Sequence, residues 1–144
     1  MPQLPQNAYY RPMETTLREI QTRADLEELV AELYQRLPVD PVVGHYFTTV
    51  VSLDLAAHLP KIVDFWEMVL FQQGSYSRDA MAPHLRLHEL SPFRHEHFEA
   101  WLRHFENVVR ERFQGEAAER AIQRAKSIAM VIESKALQMD FGKR

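Results

Sequence analysis

The 144-residue chain contains no cysteine. That excludes disulfides, thiolate zinc sites, iron–sulfur clusters and thiolate nucleophiles, so any metal must be held by histidine, by carboxylate or by a cofactor. Long hydrophobic runs are missing as well: the longest clean apolar stretch, Ile128 to Ile132, is far short of a membrane span. The Met1 to Pro12 segment lacks the basic-then-apolar layout of a signal peptide, so the expectation is a soluble, cytoplasmic protein with no membrane partner. A net charge of -3, without a Lys/Arg cluster interleaved with aromatics, argues against nucleic acid, whose phosphates call for a basic face. No serine–histidine–acid or paired-carboxylate arrangement can be argued from the sequence, and nothing in it signals a hydrolase.

What is present is globular composition, 46% apolar and 26% charged, at a length that buries roughly 70% of the unfolded surface around one core. Pro2, Pro5 and Pro12 mark residues 1–13 as a loose arm, leaving 14–144 as a single domain. Leu26, Leu29, Val30, Leu33 and Leu37 fall on one helix face, with Asp25 as its cap and Pro38 as its stop. Residues 39–55 hold Pro41 and Gly44 without a sustained period and read as a loop. Leu59, Ile62, Val63, Trp66, Val69 and Leu70 mark a helix apolar on most sides, ending near Gly74. Pro60 requires that this helix start at about 58–60 or kink there.

A short helix fits around 80–87. Ser91-Pro92 reads as the start of another, carrying Phe98, Trp101, Leu102, Phe105, Val108 and Val109 up to Gly115. A last helix runs from about Glu116 to Gly142, with Ile122, Ala125, Ala129, Ile132 and Ala136 facing inward. No strand alternation survives, so the fold class is all-α.

Two histidines carry the chemistry. His58 heads a face that continues through Ile62 and Trp66 at i+4 and i+8; His84, in Met81-Ala82-Pro83-His84-Leu85, precedes the helix of Trp101. Imidazole ligates iron and zinc, and large aromatics wall a flat apolar cofactor, so two helices could offer histidines to opposite faces of one planar group. Plainer readings exist for each residue. Five of the seven histidines (84, 88, 95, 97, 104) crowd into one stretch, which fits surface enrichment, and His84 with His88 has the spacing of a zinc clasp without a third ligand. Tyr34, Trp66 and Trp101 taken singly are core filling. A His-rich helical module that binds divalent metal or a protein partner without haem is therefore the alternative.

The ordered set Tyr34, Phe47, His58, Trp66, His84, Trp101 resembles the truncated haemoglobins, group III in particular. The residues that carry the likeness are Leu33-Tyr34, Gly44-His45-Tyr46-Phe47, His58-Leu59 leading to Asp64-Phe65-Trp66, Met81 to Leu85, and His97 to Leu102. The resemblance implies a 2-on-2 helical sandwich around haem b, with His84 as the proximal iron ligand. It implies Tyr34, His58 and Trp101 on the distal side, Phe47 on the porphyrin, Ile62 above the ligand and Trp66 at the haem edge. The function it implies is binding of O2, NO and CO at ferrous iron, for oxygen transport or sensing. If the protein is instead an enzyme, NO dioxygenase or peroxidase-like activity would need a separate reductase, since the chain holds no flavin or nicotinamide domain. A monomer or weak homodimer is expected.

Overall fold

Helix α1 (Arg23–Arg36) starts at a reciprocal cap. Thr22 Oγ1 accepts from the Asp25 N–H at 3.3 Å, while the Asp25 carboxylate accepts from the Thr22 N–H at 3.0 Å. Asp25 is thus the third residue of the box, and the start lies three residues upstream of the position expected for an Asp25 cap. Arg18 and the Gln21 N–H also bond this carboxylate, which explains how a nearly buried aspartate is accommodated. Pro38 ends the helix through a single 3-10 turn (Leu37–Val39).

The computed structural model describes residues 16–50, 54–74, 76 and 79–142, and the expected arm at 1–13 lies outside them. Within the stretch read as a loop, Tyr46–Val50 winds into one turn of π-helix. Helix α2 (Leu55–Phe71) is capped by Asp54 and continues past Pro60 without a break. The expected start at 58–60 is therefore corrected to 55. Proline at the sixth helical position deprives the Ala56 carbonyl of its donor, a defect placed on an exposed side where water can replace it. Gln72, in the left-handed region at φ 55°, closes the helix by bonding Met68 O.

Helix α3 (Met81–Leu90) follows. Helix α4 (His95–Arg112) starts three residues beyond Pro92, because the Arg94 N–H is captured by His97 Nδ1 at 2.9 Å. Helix α5 (Glu116–Gly142) keeps its expected bounds.

Helices α1 and α2 pack as one pair and α4 and α5 as another; α1 lies on α4, and α3 rests on α5. This is the two-over-two arrangement, and among the described residues it contains no strand, only an isolated bridge between Arg18 and Phe113. Leu26, Leu29, Val30 and Leu33 of α1 are buried against Phe105, Val108 and Val109 of α4, each large side chain contributing about 1.5–3 kcal/mol. The buried face of α5 is mostly alanine (118, 121, 125, 129, 136), which lets the neighbouring helices approach closely. No helix among the described residues is long and apolar enough to cross a membrane.

Candidate functional site

Three rings from three elements meet on one side of the sandwich. Tyr34, near the end of α1, meets Phe47 edge-on with centroids 5.6 Å apart, and His58 of α2 at 6.2 Å. Phe47 reaches this place because the chain reverses tightly ahead of it. A Cβ on Gly44 would sit 2.5 Å from the carbonyl oxygens of Pro38 and Asp40, so only glycine permits the turn. Asp40 pins the same turn by accepting from the Val42 and Val43 N–H groups and from His104 Nε2 at 2.6 Å. Burial alone would raise the Asp40 carboxyl, but the bonds from His104, Val43 and Val42 outweigh it and hold the pKa below its ordinary value.

Among the described residues the Tyr34 hydroxyl has no hydrogen-bond partner. Burial pushes its pKa up, so it stays an O–H donor, on a ring packed against Phe47 and His58.

His84 Nδ1 lies 2.7 Å from Ala80 O, one turn earlier on α3. A carbonyl can only accept, so Nδ1 carries the proton and Nε2 keeps a bare lone pair, the tautomer a metal requires. The ring is reachable by water yet crowded by protein on most sides, as in a side chain lining a cleft. That crowding lowers its pKa against the opposing pull of Ala80 O. Crowding lowers His58 as well, helped by the Lys61 charge and, once it is protonated, by His84. The two histidines thus lie within electrostatic reach of each other, and both are neutral at pH 7.

A histidine depressed in the folded state contributes stability that is complete above its unfolded pKa and is lost as pH falls toward the folded value. His58, His84 and His97 share this sign. The exposed His95, raised by Glu133, has the opposite sign. The melting temperature of the haem-free protein is therefore expected to be flat above about pH 6.5 and to fall below it. A melting temperature that rose between pH 6.5 and 5.5 would reverse this assignment.

The remaining expected residues divide. Trp101 is partly buried and stacks on Phe105 at 5.3 Å; Trp66 lies against the other contact of Phe105 at 4.9 Å and is 4% exposed. Trp66 is thus enclosed by Phe105 and Phe65, whereas Trp101 and Ile62 are partly open. His88 does not join His84 as a zinc clasp. It is buried, its Nδ1 accepting from the Phe93 N–H and its Nε2 lying 2.8 Å from Asp140. Among the described residues no three histidine or carboxylate side chains gather where they could hold a metal ion.

A metal on His84 would therefore need its other ligands from a cofactor. The aromatic and aliphatic side chains and the free imidazole lone pair of His84 fit a flat macrocycle such as haem. Two surface hollows, of about 230 Å³ between α1 and α2 and about 300 Å³ between α4 and α5, include neither Tyr34 nor His84.

Sequence reasoning missed the Tyr46 hydroxyl, which donates to Pro92 O at 2.9 Å and Ser91 O at 3.0 Å and so ties the π turn to the α3–α4 connection. It also missed Asp140 and the Asp40–His104 pair. Each pairs residues more than 40 positions apart, beyond the reach of periodicity.

A family model described as bacterial-like globin matches residues 16–134. The group 3 truncated hemoglobin ctb of Campylobacter jejuni is 29% identical over 107 residues, covering 72% of this chain and 82% of that protein. A crystal structure of a group III truncated hemoglobin from Campylobacter jejuni superposes with a TM-score of 0.73 at 27% identity, over 84% of this chain and 95% of that one. With the two-over-two helices and the His84 cleft already in view, these matches identify the fold as that of a truncated globin, and the chain belongs to the bacterial-like globin family.

Proposed function

We propose that this globin holds haem b on His84 and binds the diatomic gases O2, NO and CO on the opposite side, where Tyr34, His58 and Trp101 line the cleft. The observation that carries this reading is the His84 tautomer. Its Nδ1–H is donated to Ala80 O, which leaves the Nε2 lone pair unshared on a ring close enough to His58 to act on it electrostatically, while His58 itself lies beside Tyr34. Haem, when bound, supplies a ferrous iron with one coordination position open.

The protein's own groups do the rest. The Ala80 carbonyl orients the imidazole and increases its basicity. Phe47 and Ile62 offer apolar surface to a flat ring, and their presence keeps water out. Tyr34 O–H and the Trp101 indole N–H are donors in a dry space, where a hydrogen bond to a partly charged ligand atom is stronger than in water. Trp66, enclosed by Phe105 and Phe65, acts from behind as support.

The test is spectroscopic and kinetic together. Purified protein supplied with haem is expected to give a five-coordinate ferrous spectrum, and a chain that takes up no haem would overturn the reading. Tyr34→Phe removes one donor of about 1 kcal/mol or somewhat more, so oxygen release is expected to quicken about five- to tenfold. Unchanged release would remove Tyr34 from the ligand's contacts and leave the role to Trp101 or His58.

A further inference from the structure

Helix α3 carries His84, yet it is the helix least embedded in the protein. Of its ten residues only one is buried, and that residue is His88, one turn beyond His84 on the same helix. His88 is 2% exposed, and both ring nitrogens are engaged. Nδ1 accepts from the Phe93 N–H at 2.8 Å, which assigns the proton to Nε2, and Nε2 donates to the Asp140 carboxylate at 2.8 Å. The first bond fixes α3 to the connection leading into α4. The second fixes it to the last turns of α5, the helix on which α3 rests. A bond to a carboxylate is about twice as strong as one between neutral groups. The ring also packs on Phe93 with centroids 5.5 Å apart.

An apolar residue at position 88 would supply burial alone. A histidine bonded in two fixed directions sets both the rotation of α3 about its axis and its height over α5. His84 Nε2 moves with that helix. The geometry points to His88, held by Asp140, as the positioning residue for the iron ligand: it fixes where the His84 lone pair is presented and how firmly. This rests on the reading of His84 as the ligand to haem iron.

Asp140 is the better handle, because its side chain is half exposed and its loss opens no cavity. In Asp140→Ala the iron–histidine stretching band of the unliganded ferrous protein is expected to shift and broaden, and haem loss to quicken about tenfold, the low end for losing a group that orients a metal ligand. In the same variant without haem, the amides of α3 are expected to exchange faster while those of α1 keep their native rates. Asp140→Asn, which keeps an acceptor oxygen for the Nε2–H, is expected to restore most of both.

A native iron–histidine band in Asp140→Ala would overturn the proposal, even if α3 exchanged faster, since that would be a structural role only. An Asn variant as impaired as the Ala variant would overturn the hydrogen bond as its basis. Unchanged exchange in the haem-free protein would overturn the tether itself. That measurement needs no haem, so it separates failure of this inference from failure of the haem assignment.

Discussion

His84→Ala is expected to abolish stable haem retention while leaving the fold intact. The imidazole is accessible in its cleft and its one hydrogen bond goes to the Ala80 carbonyl of its own helix, so truncation costs the haem-free protein no more than about 0.5 kcal/mol. Its effect on the cofactor is of a different order. Disturbing a group that merely orients a metal ligand costs 10–100-fold in affinity, so losing the ligand itself should accelerate haem loss by more than about 100-fold. The neighbouring histidine on the same helix, His88, offers no replacement, because it is fully committed to Phe93 and Asp140. Added free imidazole should enter the vacated space and restore a ligand in part. The check is the rate of haem transfer to an acceptor globin, with the absorption spectrum alongside. A variant that kept a normal five-coordinate ferrous spectrum would overturn His84 as the ligand and move the iron to His58, which lies beside Tyr34.

How much of this was legible beforehand depends on whether the cause was local. The apolar face of α1 and the alanine-rich face of α5 were readable because helical periodicity and end signals are properties of short stretches; α5 kept its expected bounds, and α1 departed from its own only by three residues at the cap. The start of α2 was misplaced because a proline normally belongs to a first turn. Here the Asp54 cap and the burial of Val63, Trp66 and Leu70 outweigh a lost hydrogen bond on an exposed side. The π turn at Tyr46 had no signal in its own residues. Its anchors are the carbonyls of Ser91 and Pro92, contributed by a remote connection.

The site divided along the same line. Tyr34, His58 and His84 were singled out by their order along the chain; the structure sets Tyr34 beside His58, and His84 within electrostatic reach of His58. The part played by His88 depends on Asp140, 52 residues away, so only the i+4 spacing from His84 hinted that it mattered. That spacing suggested a shared metal. The fold makes it instead a pair in which one histidine keeps a free Nε2 and its neighbour is fastened at both nitrogens.

The column of Trp66, Phe105 and Trp101 is where fold and site depend on one ring. Phe105 is 1% exposed and packs on both tryptophans, at 4.9 Å and 5.3 Å with interplanar angles of 30° and 28°. Phe105→Ala is expected to destabilise the protein by about 3–5 kcal/mol, from lost transfer energy and from a cavity that two large, rigid indoles can collapse into only in part. At about 2–4 °C per kcal/mol for a chain of this size, the melting temperature should fall by roughly 6–20 °C. Phe105→Leu, which keeps most of the volume but not the flat faces, should cost less than half as much. Trp101 is the partly open member of the column, so its indole should lose orientation before the helices separate. Oxygen release is therefore expected to quicken in Phe105→Leu even where the variant is still fully folded. Urea unfolding and stopped-flow oxygen release on the same samples check both effects. A cost below about 1 kcal/mol for the alanine variant would mean that the two tryptophans are held by other contacts, and native oxygen release in the folded leucine variant would detach Trp101 from the ligand.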